Sequence, residues 1–108
     1  RALVAHSRWE WRAGMRTASG YRVPEGGGVR AARPPDWRGE WLPPVPDLTD
    51  DGTSGFLLGA LRAARPLARL LVFFEPDRDG GVWTVETYEA PALGEAAGRA
   101  VLASWGPA

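Results

Sequence analysis

The chain contains no cysteine and no lysine, and only one histidine and one methionine among its 108 residues. Without cysteine there can be neither a disulfide staple nor a thiolate metal site. Without lysine there is no side-chain amine for Schiff-base chemistry, and His6 is the only imidazole in the sequence available as a base. No serine stands in a nucleophile-elbow context. No apolar run reaches the length of a signal peptide or a membrane span, so the composition predicts a cytoplasmic protein with no membrane association. The first residue is Arg1, which leads to the expectation that a start residue or short leader precedes it.

What is present is arginine, which supplies all thirteen basic residues and, with the abundant alanine, glycine and proline, points to a GC-rich coding source. The formal net charge is zero but unevenly spread. Residues 1–46 hold eight arginines against four carboxylates, and residues 47–108 hold five against nine, so the halves carry +4 and −4. Two readings follow: the halves attract each other within one fold or are solvated faces, or the first half is a basic binding surface. A chain of this length with 44% hydrophobic residues predicts a single domain over 1–108.

The clearest element is a helix within Asp47 to Pro66. Asp50 or Thr49 suits the N-cap, Asp51 lies at the positive end of the helix dipole, and Pro66 ends the element after Arg62 and Arg65. Phe56, Leu57, Ala60, Leu61 and Ala64 share one arc, which predicts a core-facing side. Gly55-x-x-x-Gly59 predicts close backbone packing within that core, the apolar stretch being too short to span a bilayer.

Before this helix, the alternation Arg8-Trp9-Glu10-Trp11-Arg12 predicts a half-buried strand, paired as a hairpin with a second strand at Gly20 to Val23. Residues 31–46 carry five prolines with Trp37 and Trp41 between them and read as an extended connector. Pro43 and Pro46 make a Pro-x-x-Pro, which fits either a polyproline ligand or a lead-in to the helix. After the helix, Leu67 to Glu75 is nearly continuously apolar and predicts a strand in mid-sheet. A turn at Pro76 to Gly81 and a single strand from Val82 to Glu89 complete a second hairpin. Leu93 to Trp105 is amphipathic, with Leu93, Ala97, Ala100, Val101, Ser104 and Trp105 on one arc, Gly94 as N-cap, and Gly106-Pro107 as terminator. The expected fold is therefore α+β: a two-layer arrangement of antiparallel sheet and two amphipathic helices, in the order β-β-α-β-β-α.

No catalytic, cofactor-binding or metal-ligating set emerges. Asp47, Asp50 and Asp51 are explained by capping and dipole effects, and His6 reads as a surface residue. Asp77, Asp79 and Gly80 open like a calcium loop, but its later ligands are missing and a plain hairpin turn is the reading. Glu25-Gly26-Gly27-Gly28 lacks the spacing of a phosphate-binding loop.

Trp11-x-x-Gly14-Met15, then Pro46-Asp47-Leu48-Thr49-Asp50, then Gly55-x-Leu57-Leu58-x-x-Leu61-Arg62-x-Ala64, followed by a Trp-bearing strand and an Ala-rich helix, form an ordered pattern. It resembles small uncharacterised proteins encoded by phages and prophages of GC-rich bacteria. The chain departs from that pattern at Ala13, where those proteins have proline, and at Asp51-Gly52, where they have Pro-Ala. The resemblance implies an accessory protein acting inside a bacterial host, and carries no activity with it. The function expected is protein–protein binding without catalysis or cofactor, such as inhibition of a host enzyme or of a defence complex such as a CRISPR effector. The partner would be a host or phage protein. Arg33, Trp37, Arg38 and Trp41 are the candidate contacts, because Trp and Arg dominate binding hot spots. The alternative is nucleic-acid binding by the Arg/Trp-rich first half.

Overall fold

A computed structural model describes residues 2–25 and 45–107. The element order is α1 (Ala2–Ala5), α2 (Asp51–Ala64), β1 (Val72–Glu75), β2 (Val82–Val85), β3 (Tyr88–Ala90) and α3 (Leu93–Trp105). The three strands form one antiparallel sheet in the order β1-β2-β3, so the fold is α+β.

Both long helices lie where their spacing predicts. Asp50 caps α2 in extended conformation, its carboxylate accepting from the Thr53 N–H at 2.9 Å. Helix α2 ends at Ala64, just before Arg65 and Pro66. Helix α3 begins one residue later than its cap, Ala92, rather than using Gly94 as N-cap. Gly94 serves a different purpose: a Cβ there would fall on the backbone of Leu48, so only glycine lets α3 approach the lead-in to α2 this closely. Gly106 closes the helix with φ 74° and its N–H bonded to the Leu102 carbonyl.

Helix α3 packs against α1, α2, β2 and β3. Its buried residues are Gly94, Ala96, Ala97, Gly98, Ala100 and Val101, all small or β-branched. They meet Leu57 and Leu61 of α2, Val85 and Ala90 of the sheet, and Leu3 of α1 in one core. Leu57, Leu61, Val85 and Val101 are the largest apolar side chains fully withdrawn from solvent.

Several expected elements are different. Residues 8–12 and 20–23 do not pair as strands; the described N-terminal part holds the short helix α1 and a compact turn over 14–23. Within that turn Gly14 N–H donates to the Val23 carbonyl and Val23 N–H to the Met15 carbonyl, with an isolated bridge between Arg16 and Arg22. Val82 to Glu89 is not one strand, because the chain reverses at Glu86, which has φ 58°. Positive φ is uncommon outside glycine, and nothing in the local sequence signals this turn. Among the described residues the extra reversal puts β2 in the centre and β1 at the sheet edge. The strand expected in mid-sheet is therefore exposed, Phe73 at 40% and Phe74 at 44%.

The two oppositely charged halves do attract each other. Arg22 places its guanidinium on both oxygens of Asp50, at 3.0 and 3.1 Å, and on the Gly14 carbonyl at 2.8 Å. Arg16 lies 3.9 Å from Asp47, and the Arg16 N–H donates to the buried Thr53 hydroxyl at 2.9 Å. These contacts seat the 14–23 turn on the start of α2. The Arg22 hydrogen bond, then the Thr53 amide, hold the Asp50 carboxyl down at about 2.

Because the folded pKa of Asp50 lies below its unfolded value, its stabilisation is fully present above about pH 4 and is lost as pH falls from there through 2. Asp50→Asn keeps the capping geometry without the charge. Its urea midpoint is expected to fall below wild type at pH 7, with the gap closing by pH 2. A gap that persists at pH 2 would mean that the charge is not the source.

The glycines of α2 give a second test. Gly55 and Gly59 are exposed and a Cβ on either would meet nothing within 4 Å, so the close packing expected of Gly-x-x-x-Gly is not made by the described residues. Gly59→Ala is expected to stabilise by about 0.5–1 kcal/mol through helix propensity, while Gly94→Ala lowers the thermal midpoint sharply. Equal effects at the two sites, measured by calorimetry, would contradict this placement.

Candidate protein-binding groove

Position by position, the arc expected to face the core is rotated. Leu57 and Leu61 are buried with Thr53 and Ser54, whereas Phe56 is only half-buried and stands outside the central core. Rotation follows from polar anchoring at the helix start: Thr53 bonds to Arg16 and Asp50, and the Ser54 hydroxyl donates to the Asp50 carbonyl at 2.9 Å. Those bonds fix which side of the first turn faces inward, and Phe56 is left beside Gly55 and Gly59.

Opposite this side of α2 runs the segment from Ser7 to Arg12. Among the described residues it has no partner strand, and it is held by local turn bonds and by side chains. The His6 ring is buried: Nε2 donates to the Gly106 carbonyl at 2.9 Å, Nδ1 accepts from the Arg8 N–H at 3.1 Å, and Trp105 lies 5.0 Å away centre to centre. A carbonyl only accepts and an amide only donates, so the imidazole is the neutral form protonated at Nε2. This corrects the expectation of a surface histidine; His6 ties the N-terminal segment to the end of α3. Trp9 packs on the core and meets Trp11 edge to face at 5.1 Å, so the two indoles contact each other without the strand that was expected to align them. The Arg12 N–H reaches the Met15 sulfur at 3.2 Å, and its guanidinium pairs with Glu10 at 3.1 Å.

Between the two lies an open groove of about 690 Å³. Phe56, Gly59, Ala60 and Ala63 of α2 line it, as do Trp9, Met15 and Trp105, with Arg8, Glu10 and Arg12 from the N-terminal segment. It is a concave, largely apolar surface with aromatic side chains and polar groups beside them, the make-up common to ligand pockets. Small residues on α2 let another backbone come close, as a helix does when it lies in a groove.

The residues first singled out as contacts, Arg33, Trp37, Arg38 and Trp41, lie outside the described residues. The groove uses other members of the same residue types. Trp9, Arg8 and Arg12 drew attention as a strand pattern, and Gly55 and Gly59 as a packing motif; only tertiary structure sets them against each other. Among the described residues no group of three or more His, Cys, Asp and Glu is placed to hold a metal ion, and no helix is long and apolar enough to cross a membrane. No family model matches the chain, and neither a curated protein nor a solved structure matches it.

Phe56 is accordingly expected to contribute less to folding than the buried Leu57. Leu57→Ala should cost about 2–5 kcal/mol as a core truncation, and Phe56→Ala distinctly less. Denaturant unfolding of the two variants side by side checks this, and equal losses would return Phe56 to the core.

Proposed function

We propose that this chain is a small accessory protein that acts by binding another protein and performs no catalysis of its own. The observation that supports this reading is the open groove between α2 and residues 7–12, an apolar concavity whose glycines face empty space. Among the described residues nothing fills this groove, and it offers aromatic and arginine side chains, the types that concentrate binding energy. It would accept an amphipathic helical segment, its apolar side against Trp9 and Phe56. In line with the phage-type resemblance, the partner is a host protein, an enzyme or a component of a defence complex such as a CRISPR effector, inhibited by occlusion.

Nucleic-acid binding by the first half is the weaker reading. Arg12, Arg16 and Arg22 are each engaged with a carboxylate, Glu10, Asp47 and Asp50, which lowers the positive potential offered to phosphates.

Gly59→Arg places a long charged side chain in the groove at a position where the fold has room for it. The partner captured from host lysate by the wild-type chain is expected to be lost with Gly59→Arg and with Phe56→Ala, while both variants keep the wild-type circular dichroism. Retention by both would sink the groove as the binding site. Tight, salt-sensitive retention of random oligonucleotides by the wild type, abolished by Arg33→Ala with Arg38→Ala, would make nucleic acid the partner instead.

A further inference from the structure

Among the described residues β1 forms an uncovered edge of the sheet. Leu71 is 54% exposed, Val72 38%, Phe73 40% and Phe74 44%, so apolar side chains stand in solvent on both faces of one strand. No charge or proline interrupts residues 70–74, although such residues are the usual protection of a free edge. The Leu71 carbonyl accepts from the Glu86 N–H at 2.7 Å, continuing the register in which Val72 faces Val85. In an antiparallel ladder this fixes parity: Leu71, Phe73 and Glu75 turn their backbone groups to β2, and Val72 and Phe74 turn theirs to the open edge.

We infer that this edge is a self-association surface, on which β1 pairs antiparallel with β1 of a second copy about a two-fold axis at Val72. The parity allows that register, because Val72 exchanges both of its outward hydrogen bonds with Val72 of the second copy. Leu71 then stands opposite Phe73 of the second copy and Leu70 opposite Phe74, apolar against apolar on both faces. The same register sets Arg69 opposite Glu75 of the second copy, twice over by symmetry. Glu75 shares the single Arg78 guanidinium with Glu89, at 3.2 and 2.7 Å, so that end of the strand retains negative charge for an incoming arginine. A register centred on Phe73 instead sets Leu71 against Glu75 and moves Arg69 opposite Asp77, which lies past the end of β1, so the apolar match is lost and the charge match falls outside the ladder. Two copies so joined make one continuous sheet with α3 on the same side in each. The ladder is short, which makes the dimer weak and concentration-dependent.

The chain has no cysteine, so a single introduced thiol reads the register directly. Directly opposed hydrogen-bonded residues have Cα atoms about 5.5 Å apart, within disulfide reach. Val72→Cys is expected to give a disulfide-linked dimer under mild oxidation, at least tenfold faster than Phe74→Cys, whose thiols lie far apart in this register. In sedimentation, wild type is expected to shift from monomer to dimer with concentration, Val72→Lys to weaken this at least tenfold, and Gly59→Arg to leave it unchanged. A wild-type chain still monomeric at about 1 mM, where even a very weak dimer is half populated, would overturn the inference. So would equal coupling of the two thiols, or a dimer indifferent to Val72→Lys. Strong protection of the Val72 and Phe74 amides from exchange in a monomer would also overturn it, the edge then being covered by the chain's own remaining residues.

Discussion

The arrangement depends on the narrowness of α3. Ala96, Ala97, Ala100 and Gly98 present almost no side-chain bulk, so α1, α2 and the sheet can all approach one helix. At Gly98 a Cβ would come within 3.0 Å of Leu3, and at Gly94 the backbone of Leu48 occupies the place a side chain would take. A helix that is touched on several sides must be small on several sides, and the interior is then filled by a few leucines and valines from its neighbours. The fold thus uses close approach of backbones where a larger domain would use large side chains.

That economy has a consequence at the surface. Among the described residues no tryptophan or phenylalanine is fully buried: Trp9, Trp83 and Trp105 pack on the core from its margin, and the rest lie half-buried or exposed. Trp9, Phe56 and Trp105 gather beside the groove, while Phe73 and Phe74 gather on the sheet edge. Large apolar side chains left at a surface in contiguous groups mark places where something else binds. The groove and the edge are made by different elements of the fold.

Polar anchoring decides where the N-terminal part sits. Arg22, Asp50, Thr53 and Arg16 form a connected set of hydrogen bonds across the junction between the 14–23 turn and α2. The set orients the first turn of α2, and with it the side on which Phe56 emerges. His6 does the corresponding work at the far end by joining Gly106 to Arg8. The zero net charge therefore conceals opposite halves that meet in the folded chain, at Arg16 with Asp47 and at Arg22 with Asp50.

The sequence by itself determined the two long helices, because their caps, terminators and 3.6-residue spacing are local and nothing in the tertiary structure opposes them. It also determined that helices and an antiparallel sheet combine, since two apolar runs separated by a Gly-rich turn must pair. Tertiary structure decided the rest. Whether Val72 to Glu75 is central or at the edge depends on a reversal at Glu86 that carries no local signal, and an apolar strand reads alike whether its cover is another strand of the same chain or of another. Which side of α2 is buried was set by hydrogen bonds from residues 37 positions away, as between Arg16 and Thr53, and no periodicity records such a partner. The groove is made by two distant segments, each legible in isolation as something else, which only the folded chain brings opposite each other.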